Sequence, residues 1–467
     1  MPDQPDQLDQ PDRELLPGTR RALLHRLATA QAEGRTPSML GAVVRDGRPV
    51  WAGARSMLDG HAPTDDVQYR IGSLTKTFAA VLVLRLRDEG LLDLADPIER
   101  HLPGTVAGAA TVAQLLSHTS GLAAETPGPW WERTDGALRP ELADVLHGQP
   151  LRHPAGRRFH YSNPGYALLG ALVERLRGEE WGQVLRREVL EPLGMTRTTL
   201  LPEAPHAGGF AVHPWADAML PEPLTDTGRM AAAGQLWSTA ADLARWAAFL
   251  AAGDGKVLAP QTLAEMRRPA AVPEGEDWSA GYGLGLQLLR HDGRLLYGHT
   301  GSMPGFRAGL WVCESEGVAG VALANSTSGT PSPATVAADL VRIVAEHEPR
   351  LPRPWRPLAD LDQALLALTG PWYWGAQAFA LRLRDGRALE LAPLGPPGGR
   401  VSRFRAEADG SWTGLDGYYA GESLRVVRAP DGSVGHLDLG SFVLTREPYG
   451  PADAVPGGVD PKGWQAF

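Results

Sequence analysis

A serine and a lysine three residues apart are the first side chains of this sequence that could do chemistry together. Ser73 and Lys76 stand at the start of a long apolar pattern that predicts a helix. Residues three apart share a helix face, so the lysine amine can reach the serine hydroxyl. A serine becomes a nucleophile when a base takes its proton, and a lysine with a lowered pKa can be that base. The pair therefore predicts nucleophilic catalysis.

The same spacing also fits a purely structural interpretation. In it, Ser73 only caps the helix and Lys76 is a solvated residue of the first turn. Composition favours the chemical interpretation, because the 45 basic residues include lysine only at positions 76, 256 and 462. A rare residue type at this spacing is suggestive, and other segments have to supply partners.

Tyr161 and Asn163 lie on a predicted loop before a helix whose first turn contains Pro164. On an extended segment, residues two apart project to the same side, so a phenol and an amide can enter one cavity. Read alone, this pair is also typical of a capped helix start.

The glycine-rich segment 298–306 lies between two predicted strands of an antiparallel meander. It contains His299, Thr300, Gly301 and Ser302. Glycines allow a backbone to approach a ligand closely, and an edge strand there offers amide donors. The segment is therefore a predicted substrate-binding strand.

Ser117 and His118 are adjacent on a polar turn and resemble a catalytic pair only superficially. Neighbouring residues on a turn point apart, so we interpret them as anchors of the loop that follows. That loop, residues 123–144, is rich in Pro, Gly and Trp, as are loops that overhang pockets. Its Trp130 and Trp131, with Phe306, either line an acyl pocket or belong to the core.

Composition excludes several classes of protein. A formal charge of −9 argues against nucleic acid or an anionic membrane as partner. No apolar run approaches the roughly 20 residues that span a bilayer, and the acidic, proline-rich start lacks the features of a secretion signal. We therefore predict a cytoplasmic protein. The single cysteine, Cys313, lies in an apolar run and predicts a buried structural thiol.

The length of 467 residues suits about two or three domains. The proline-rich segment 349–357 predicts a linker, and beyond it short alternating runs separated by Asp-Gly turns predict a small antiparallel barrel or sandwich. The predicted boundaries are a disordered tail 1–17, a first domain 18–348, the linker 349–357, a barrel 358–450 and a flexible tail 451–467.

Three motifs, in this order, resemble those of the serine β-lactamase and penicillin-binding-protein superfamily. They are Ser73-Leu74-Thr75-Lys76, Tyr161-Ser162-Asn163 and His299-Thr300-Gly301. The Tyr-x-Asn form is similar to the class C β-lactamase, DD-peptidase and esterase branch. The resemblance implies an α/β fold, with an antiparallel sheet flanked by helices, a helical subdomain and the site between them. The second domain resembles lipocalin-like domains appended to such hydrolases, either as a lid over the pocket or as a stabilising module.

The resemblance also implies roles for individual residues. Ser73 would be the acyl-accepting nucleophile, with Lys76 and Tyr161 sharing the work of general base and acid. Asn163 would hydrogen-bond Lys76 or the substrate amide, and the backbone amides of Ser73 and Ser302 would form an oxyanion hole. No metal or organic cofactor is implied.

His299 departs from the pattern, because penicillin-active members of the superfamily carry lysine there. A lysine is a permanent cation suited to a substrate carboxylate, whereas histidine is mostly neutral at pH 7. The resemblance therefore implies a serine hydrolase for a small ester or amide, of esterase or D-aminoacyl amidase and peptidase type, with weak or no β-lactamase activity. The alternative is a catalytically silent ligand-binding or sensing protein. The oligomeric state stays open.

Overall fold

The structure is a computed structural model that describes residues 14–58, 63–133, 141–146, 148, 150–273, 278–352, 354–395 and 400–454. Residues 1–13 and 455–467, which hold most of the two predicted tails, lie outside these ranges. The chain divides into two compact units, Met1–Leu351 and Pro352–Phe467. The division falls inside the segment predicted as a linker.

The first unit mixes helices and strands along the chain. Its helices are α1 (Pro17–Glu33), α2 (Thr75–Asp88), α3 (Val112–Leu116), α4 (Leu142–Val145), α5 (Asn163–Arg177), α6 (Trp181–Leu185), α7 (Ala231–Gly234), α8 (Ala240–Ala252), α9 (Pro260–Met266) and α10 (Pro333–His347). Its strands are β1 (Ser38–Arg45), β2 (Arg48–Ser56), β3 (Tyr69–Arg70), β4 (Phe210–Val212), β5 (Met219–Pro221), β6 (Trp237–Ser238), β7 (Ala280–Tyr282), β8 (Gln287–His291), β9 (Arg294–Met303), β10 (Phe306–Cys313) and β11 (Val318–Ala324).

An antiparallel sheet organises this unit. Within the described residues it has seven strands, in the order β2-β1-β11-β10-β9-β8-β7. The predicted hairpin turn joins β1 to β2, where Asp46 and Gly47 both have positive φ, as a two-residue hairpin loop requires. Pro49, which cannot donate to a ladder, lies on the edge strand, as predicted.

Helix α2 runs through the core of the first unit. Nearly all of its residues from Thr75 to Leu86 are buried, as expected for a helix enclosed on every side. Phe78 stacks on Trp246 of α8 with ring centroids 3.8 Å apart. This packing fixes the first turn of α2, where the predicted chemistry lies.

The second unit is an antiparallel barrel. A short helix α11 (Gln363–Leu366) precedes strands β12 (Gly370–Trp374), β13 (Gln377–Leu383), β14 (Leu389–Pro393), β15 (Ser402–Ala406), β16 (Trp412–Gly414), β17 (Ser423–Arg428), β18 (Val434–Leu439) and β19 (Phe442–Leu444). Each strand pairs with the next along the chain. Tyr373 and Thr445 exchange backbone hydrogen bonds of 2.7 and 2.9 Å, which joins the first strand to the end of the last. The predicted barrel is therefore confirmed.

The barrel interior is filled with apolar side chains, including Trp372, Phe379, Phe404 and Leu437. Helix α11 contributes Leu365 to this core and so covers the end of the barrel where the chain enters. The side chains of the described residues therefore form a packed core inside the barrel.

Candidate active site

Ser73 lies in a turn of 3₁₀ helix, Gly72–Leu74, that leads directly into α2. The sequence pattern predicted that Ser73 opens a helix, and the tighter turn is how this chain does so. Gly72 has a φ of +53°, which a residue with a side chain rarely adopts. Ser73 is half-buried, whereas Gly72 and Leu74 on either side of it are buried.

Lys76 is fully buried at 0% exposure and its amine has three neighbours. Nζ lies 3.0 Å from Ser73 Oγ, 2.7 Å from Asn163 Oδ1 and 2.7 Å from the carbonyl oxygen of Ala233 in α7. Burial lowers the pKa of Lys76 to about 7, although Glu125 and Glu132 act to raise it. A substantial fraction of the amine is therefore neutral near physiological pH.

The orientation of Asn163 is fixed by a second hydrogen bond. Its Nδ2 donates to Glu125 Oε1 at 2.6 Å, so its Oδ1 is the atom left to face Lys76. The other carboxylate oxygen of Glu125 accepts from Trp131 Nε1 at 2.8 Å. Trp131 therefore fixes Glu125, and Glu125 fixes Asn163, the residue that accepts from Lys76.

Tyr161 lies beside the same pair. Lys76 Nζ is 5.0 Å from the centroid of its ring. Burial raises the pKa of the Tyr161 phenol, and a hydrogen bond with Ser73 opposes that rise. The phenol therefore stays protonated at neutral pH and can donate its proton, whereas a phenolate base is disfavoured.

His118 positions the loop that carries Tyr161. Its Nδ1 accepts from the backbone N–H of Ser162 at 3.0 Å, and its carbonyl accepts from the N–H of His160 at 2.8 Å. The imidazole ring is 4.1 Å from the Tyr161 ring, centroid to centroid. The interpretation of His118 as a loop anchor agrees with these contacts.

Strand β9 changes partners along its length. Residues Arg294 to Gly298 pair with β8, but from His299 onward the strand pairs only with β10. The other side of its second half faces the Ser73 turn, where a Cβ added to Gly301 would lie 1.9 Å from the carbonyl oxygen of Ile71. The expected edge strand is thus an interior strand that is open over half its length.

The amide of Ser302 points toward the Ser73 turn. The N–H of Thr300 donates to Gln287 Oε1 on the β8 side at 3.0 Å. Amides two residues apart on a strand share a direction, so Ser302 N–H faces the same way. A Cβ added to Gly72 would lie 2.5 Å from Ser302 N, which shows how close the two backbones are. Thr300 is half-buried and Ser302 is exposed.

His299 lies beneath the site and not on its surface. Its side chain is 0% exposed, Nε2 is 2.9 Å from the Tyr282 hydroxyl and Nδ1 is 2.5 Å from the carbonyl oxygen of Thr300. Because a carbonyl only accepts, Nδ1 carries the proton and Nε2 accepts from the tyrosine. Burial, together with the charge of nearby Lys76, lowers the pKa of His299 to about 3. The ring is neutral and offers no charge to a ligand.

The three aromatic residues suggested for an acyl pocket divide between two environments. Phe306 is fully buried and packs edge-on against Tyr69 and Trp237, so it belongs to the core. Trp131 is buried and donates a hydrogen bond to Glu125, whereas Trp130 is 58% exposed. Cys313 is buried, as predicted.

Sequence reasoning did not single out Glu125, Ala233 or Tyr282. Glu125 was inside a loop suspected of overhanging a pocket, but nothing in its local pattern marked it. The carbonyl of Ala233 carries no sequence signal at all, because any residue has one. Glu125 contacts Asn163, Ala233 contacts Lys76 and Tyr282 contacts His299, and all three contacts join distant parts of the sequence.

The described part of the chain offers neither a metal-binding cluster nor a membrane-spanning helix. No group of three or more His, Cys, Asp or Glu side chains there is arranged to hold a metal ion. None of its helices has both the length and the apolar character needed to cross a bilayer.

Comparisons with known proteins assign both units to described families. The family model described as Beta-lactamase matches residues 23–346, and one described as Domain of unknown function (DUF7586) matches residues 361–446. Penicillin-binding protein 4 of Amycolatopsis lactamdurans is 32% identical over 333 residues, which span 65% of this chain and 85% of that protein.

Two solved structures extend the comparison. A D-stereospecific amidohydrolase from Streptomyces sp. is 26% identical with a TM-score of 0.58, over 71% of this chain and 99% of that one. An octameric penicillin-binding protein homologue from Pyrococcus abyssi has a TM-score of 0.61 over 91% of this chain and 99% of that one. Its identity is 22%, so it supports the fold alone.

Proposed function

Because the chain belongs to the β-lactamase family of serine hydrolases, we propose that it hydrolyses a small ester or amide through an acyl-enzyme on Ser73. The observation that carries this proposal is the hydrogen bonding of the Lys76 amine. Two of its three neighbours, Asn163 Oδ1 and the Ala233 carbonyl, can only accept. A neutral amine gives them its two protons, so its lone pair is left facing the Ser73 hydroxyl at 3.0 Å.

In the first step, Ser73 Oγ attacks the substrate carbonyl carbon while Lys76 Nζ takes the hydroxyl proton. The negative charge passes to the carbonyl oxygen. The amides of Ser73 and Ser302 would receive it, and the close approach of the two backbones at Gly72 and Gly301 supports this role. Such donors typically lower the barrier by about 3 kcal/mol.

In the second step, the carbon–leaving-group bond breaks and the leaving group takes a proton. Tyr161 is suited to donate it, because its raised pKa keeps the phenol protonated and it hydrogen-bonds Ser73. Lys76, now an ammonium, can return a proton to the phenol. Water then attacks the acyl-enzyme by the same route and releases the acid.

The proposed substrate is an ester or amide that does not need a carboxylate bound by the residue at position 299. His299 is neutral and enclosed, so this strand presents no cation at the place where one would hold the carboxylate of a β-lactam. The likeness to a D-stereospecific amidohydrolase supports the amidase or peptidase type. We therefore expect turnover of aminoacyl p-nitroanilides or p-nitrophenyl esters, and little or none of nitrocefin.

A fluorophosphonate probe tests the proposal directly. The probe should label the wild-type chain at Ser73, found by peptide mass spectrometry, and should not label Ser73→Ala. Ser117→Ala is a matched control, because among the described residues the Ser117 hydroxyl bonds to the nearby turn at Ala113 and Thr119 alone.

Hydrolysis of p-nitrophenyl acetate provides the second readout. Equal rates for wild type and Ser73→Ala, with no probe bound, would reject the hydrolase in favour of a silent binding protein. Comparing D- and L-aminoacyl p-nitroanilides on the active enzyme then resolves the stereochemical preference.

A further inference from the structure

The two ends of the barrel differ sharply in character. Because the strands alternate in direction, the turns after β12, β14, β16 and β18 all lie at one end, which we call the open rim. The turns at the opposite end, residues 384–388, 407–411 and 429–433, are built around the Asp-Gly pairs. That opposite end is also covered by α11, whose Asp362 pairs with Arg387 at 3.2 Å.

Leu366 of α11, at the opposite end, is 41% exposed, but most of the exposed large apolar side chains among residues 363–395 and 400–454 lie at the open rim. They are Trp374 (40% exposed), Leu394 (53%), Val401 (48%), Leu415 (48%) and Tyr418 (60%). They come from three separate segments of the chain that meet only in the folded barrel. Isolated exposed apolar residues are ordinary, but a cluster at one site marks a binding surface.

A single cation lies in the middle of this cluster. The Arg400 guanidinium carbon is 4.1 Å from the centroid of the Tyr418 ring, 4.9 Å from that of Phe442 and 5.7 Å from that of Trp374. Phe442 contacts both other rings, with its centroid 5.1 Å from that of Trp374 and 6.0 Å from that of Tyr418. Cation–π contacts of this kind hold the guanidinium in place but leave its N–H groups without an anion.

No carboxylate of the described chain neutralises Arg400. Of the two acids in the rim loop 415–422, Asp416 is bound to Arg403 at 2.5 Å, and Glu422 forms no ion pair with Arg400. A guanidinium presents a planar fork of donors that matches a carboxylate. The rim therefore combines an unneutralised anion receptor with aromatic faces.

We propose that the open rim of the barrel binds a small carboxylate that carries an apolar chain or ring. The carboxylate would accept hydrogen bonds from Arg400, and the apolar part would lie on Trp374 and Tyr418. The site is at the rim and not inside the barrel, because Trp372, Phe404 and their neighbours fill the interior. This ligand is independent of the reaction proposed for the first unit.

Isothermal titration of the full chain with decanoate tests the site. Decanoate should bind, and Arg400→Gln should weaken it at least tenfold, as expected for loss of a charged hydrogen bond. Arg428→Gln is the matched control, since Arg428 is an exposed arginine at the opposite end of the barrel, and should bind as wild type does. Decanol, which has the same chain without the charge, should bind at least tenfold more weakly than decanoate and ignore Arg400→Gln.

Three outcomes would overturn the proposal. Decanoate could fail to bind, or it could bind no more tightly than decanol. It could also bind equally well to Arg400→Gln, and its site would then lie elsewhere on the chain, for example near Ser73. A fourth outcome concerns the oligomeric state, measured by sedimentation of wild type and Trp374→Ala. If wild type is a dimer and Trp374→Ala is a monomer, the rim binds a second copy of the chain instead.

Discussion

The surroundings of Ser73 and the interior of the barrel differ in which side chains they bury. Around Ser73, Lys76, His118 and His299 are all completely enclosed. In the described part of the barrel unit, no Lys, Arg, His, Asp or Glu is buried. Burial favours the uncharged form of every one of these groups, so it changes chemistry in the first region and would only cost stability in the second.

The comparison also explains the direction of the pKa shifts. Around Ser73, burial lowers the pKa of Lys76 and His299. On the barrel surface, hydrogen bonds lower the pKa of carboxyls such as Glu407 and Asp431. Desolvation therefore sets the protonation states of the buried groups around Ser73, and local hydrogen bonds set those of the barrel.

The largest effect is expected when the buried amine cannot lose its proton. Arginine stays protonated at any working pH, so Lys76→Arg should lower kcat/KM by about 10³-fold. Lys256→Arg, on an exposed lysine, should leave it unchanged. In wild type, kcat/KM should rise with pH through about 7, as Lys76 becomes neutral. An active Lys76→Arg enzyme would refute the role of the lysine.

A close backbone approach gives the next largest effect. In Gly301→Ala the new Cβ would overlap the Ile71 carbonyl, so we expect a loss of about 3 kcal/mol in the unfolding free energy of the first unit. Gly395→Ala in the barrel meets no atom within 4 Å and should change it little. Urea denaturation measures both. A stable, fully active Gly301→Ala would show that β9 and the Ser73 turn are farther apart.

Acid should destabilise the first unit before the barrel. The pKa of His299 is about 3 when folded and near 6.5 when unfolded, so the unfolded chain binds more protons between these values. The stability of the first unit should therefore fall as pH drops below about 6.5. The lowered carboxyls of the barrel lose their contribution only below about 4. Pulse proteolysis, with fragments assigned to each unit, separates the two.

His299→Gln supplies the control for that experiment. Glutamine can still accept from Tyr282 and donate to the Thr300 carbonyl, but it does not titrate. The acid slope of the first unit should become shallower. An unchanged slope would assign the acid sensitivity to other groups.

The smallest effect concerns the acceptor of the lysine. Asn163→Ala removes a partner that favours the ammonium form, so the rising limb of kcat/KM should move to lower pH, with a loss of rate of about tenfold. Asn163→Asp adds a negative charge and should move it to higher pH. Shifts in the same direction for both variants would contradict the geometry at Nζ.

The pairing of Ser73 with Lys76 was predictable from the sequence, because it is local. Ser73 and Lys76 are one helical turn apart, and the helix that holds them follows from its apolar pattern. The burial of His299 was not predictable, because it depends on contacts with residues of other strands, such as Tyr282 of β7. The same holds for Ala233, whose contribution is a carbonyl.

The barrel shows the same boundary between local and distant information. Its Asp-Gly turns indicated where strands end, and runs such as 424–427 fall inside the observed β17 (Ser423–Arg428). The gathering of Trp374, Arg400 and Tyr418 at one rim needed the strand directions, which only the complete pairing order reveals.

The two backbone hydrogen bonds between Tyr373 and Thr445 make the closure of the barrel sensitive to truncation at the carboxyl end of the unit. Truncation just before Thr445 would unpair the final strand from the first and create two free strand edges at once. Such edges recruit other chains, so shortened products should self-associate where the intact ring does not.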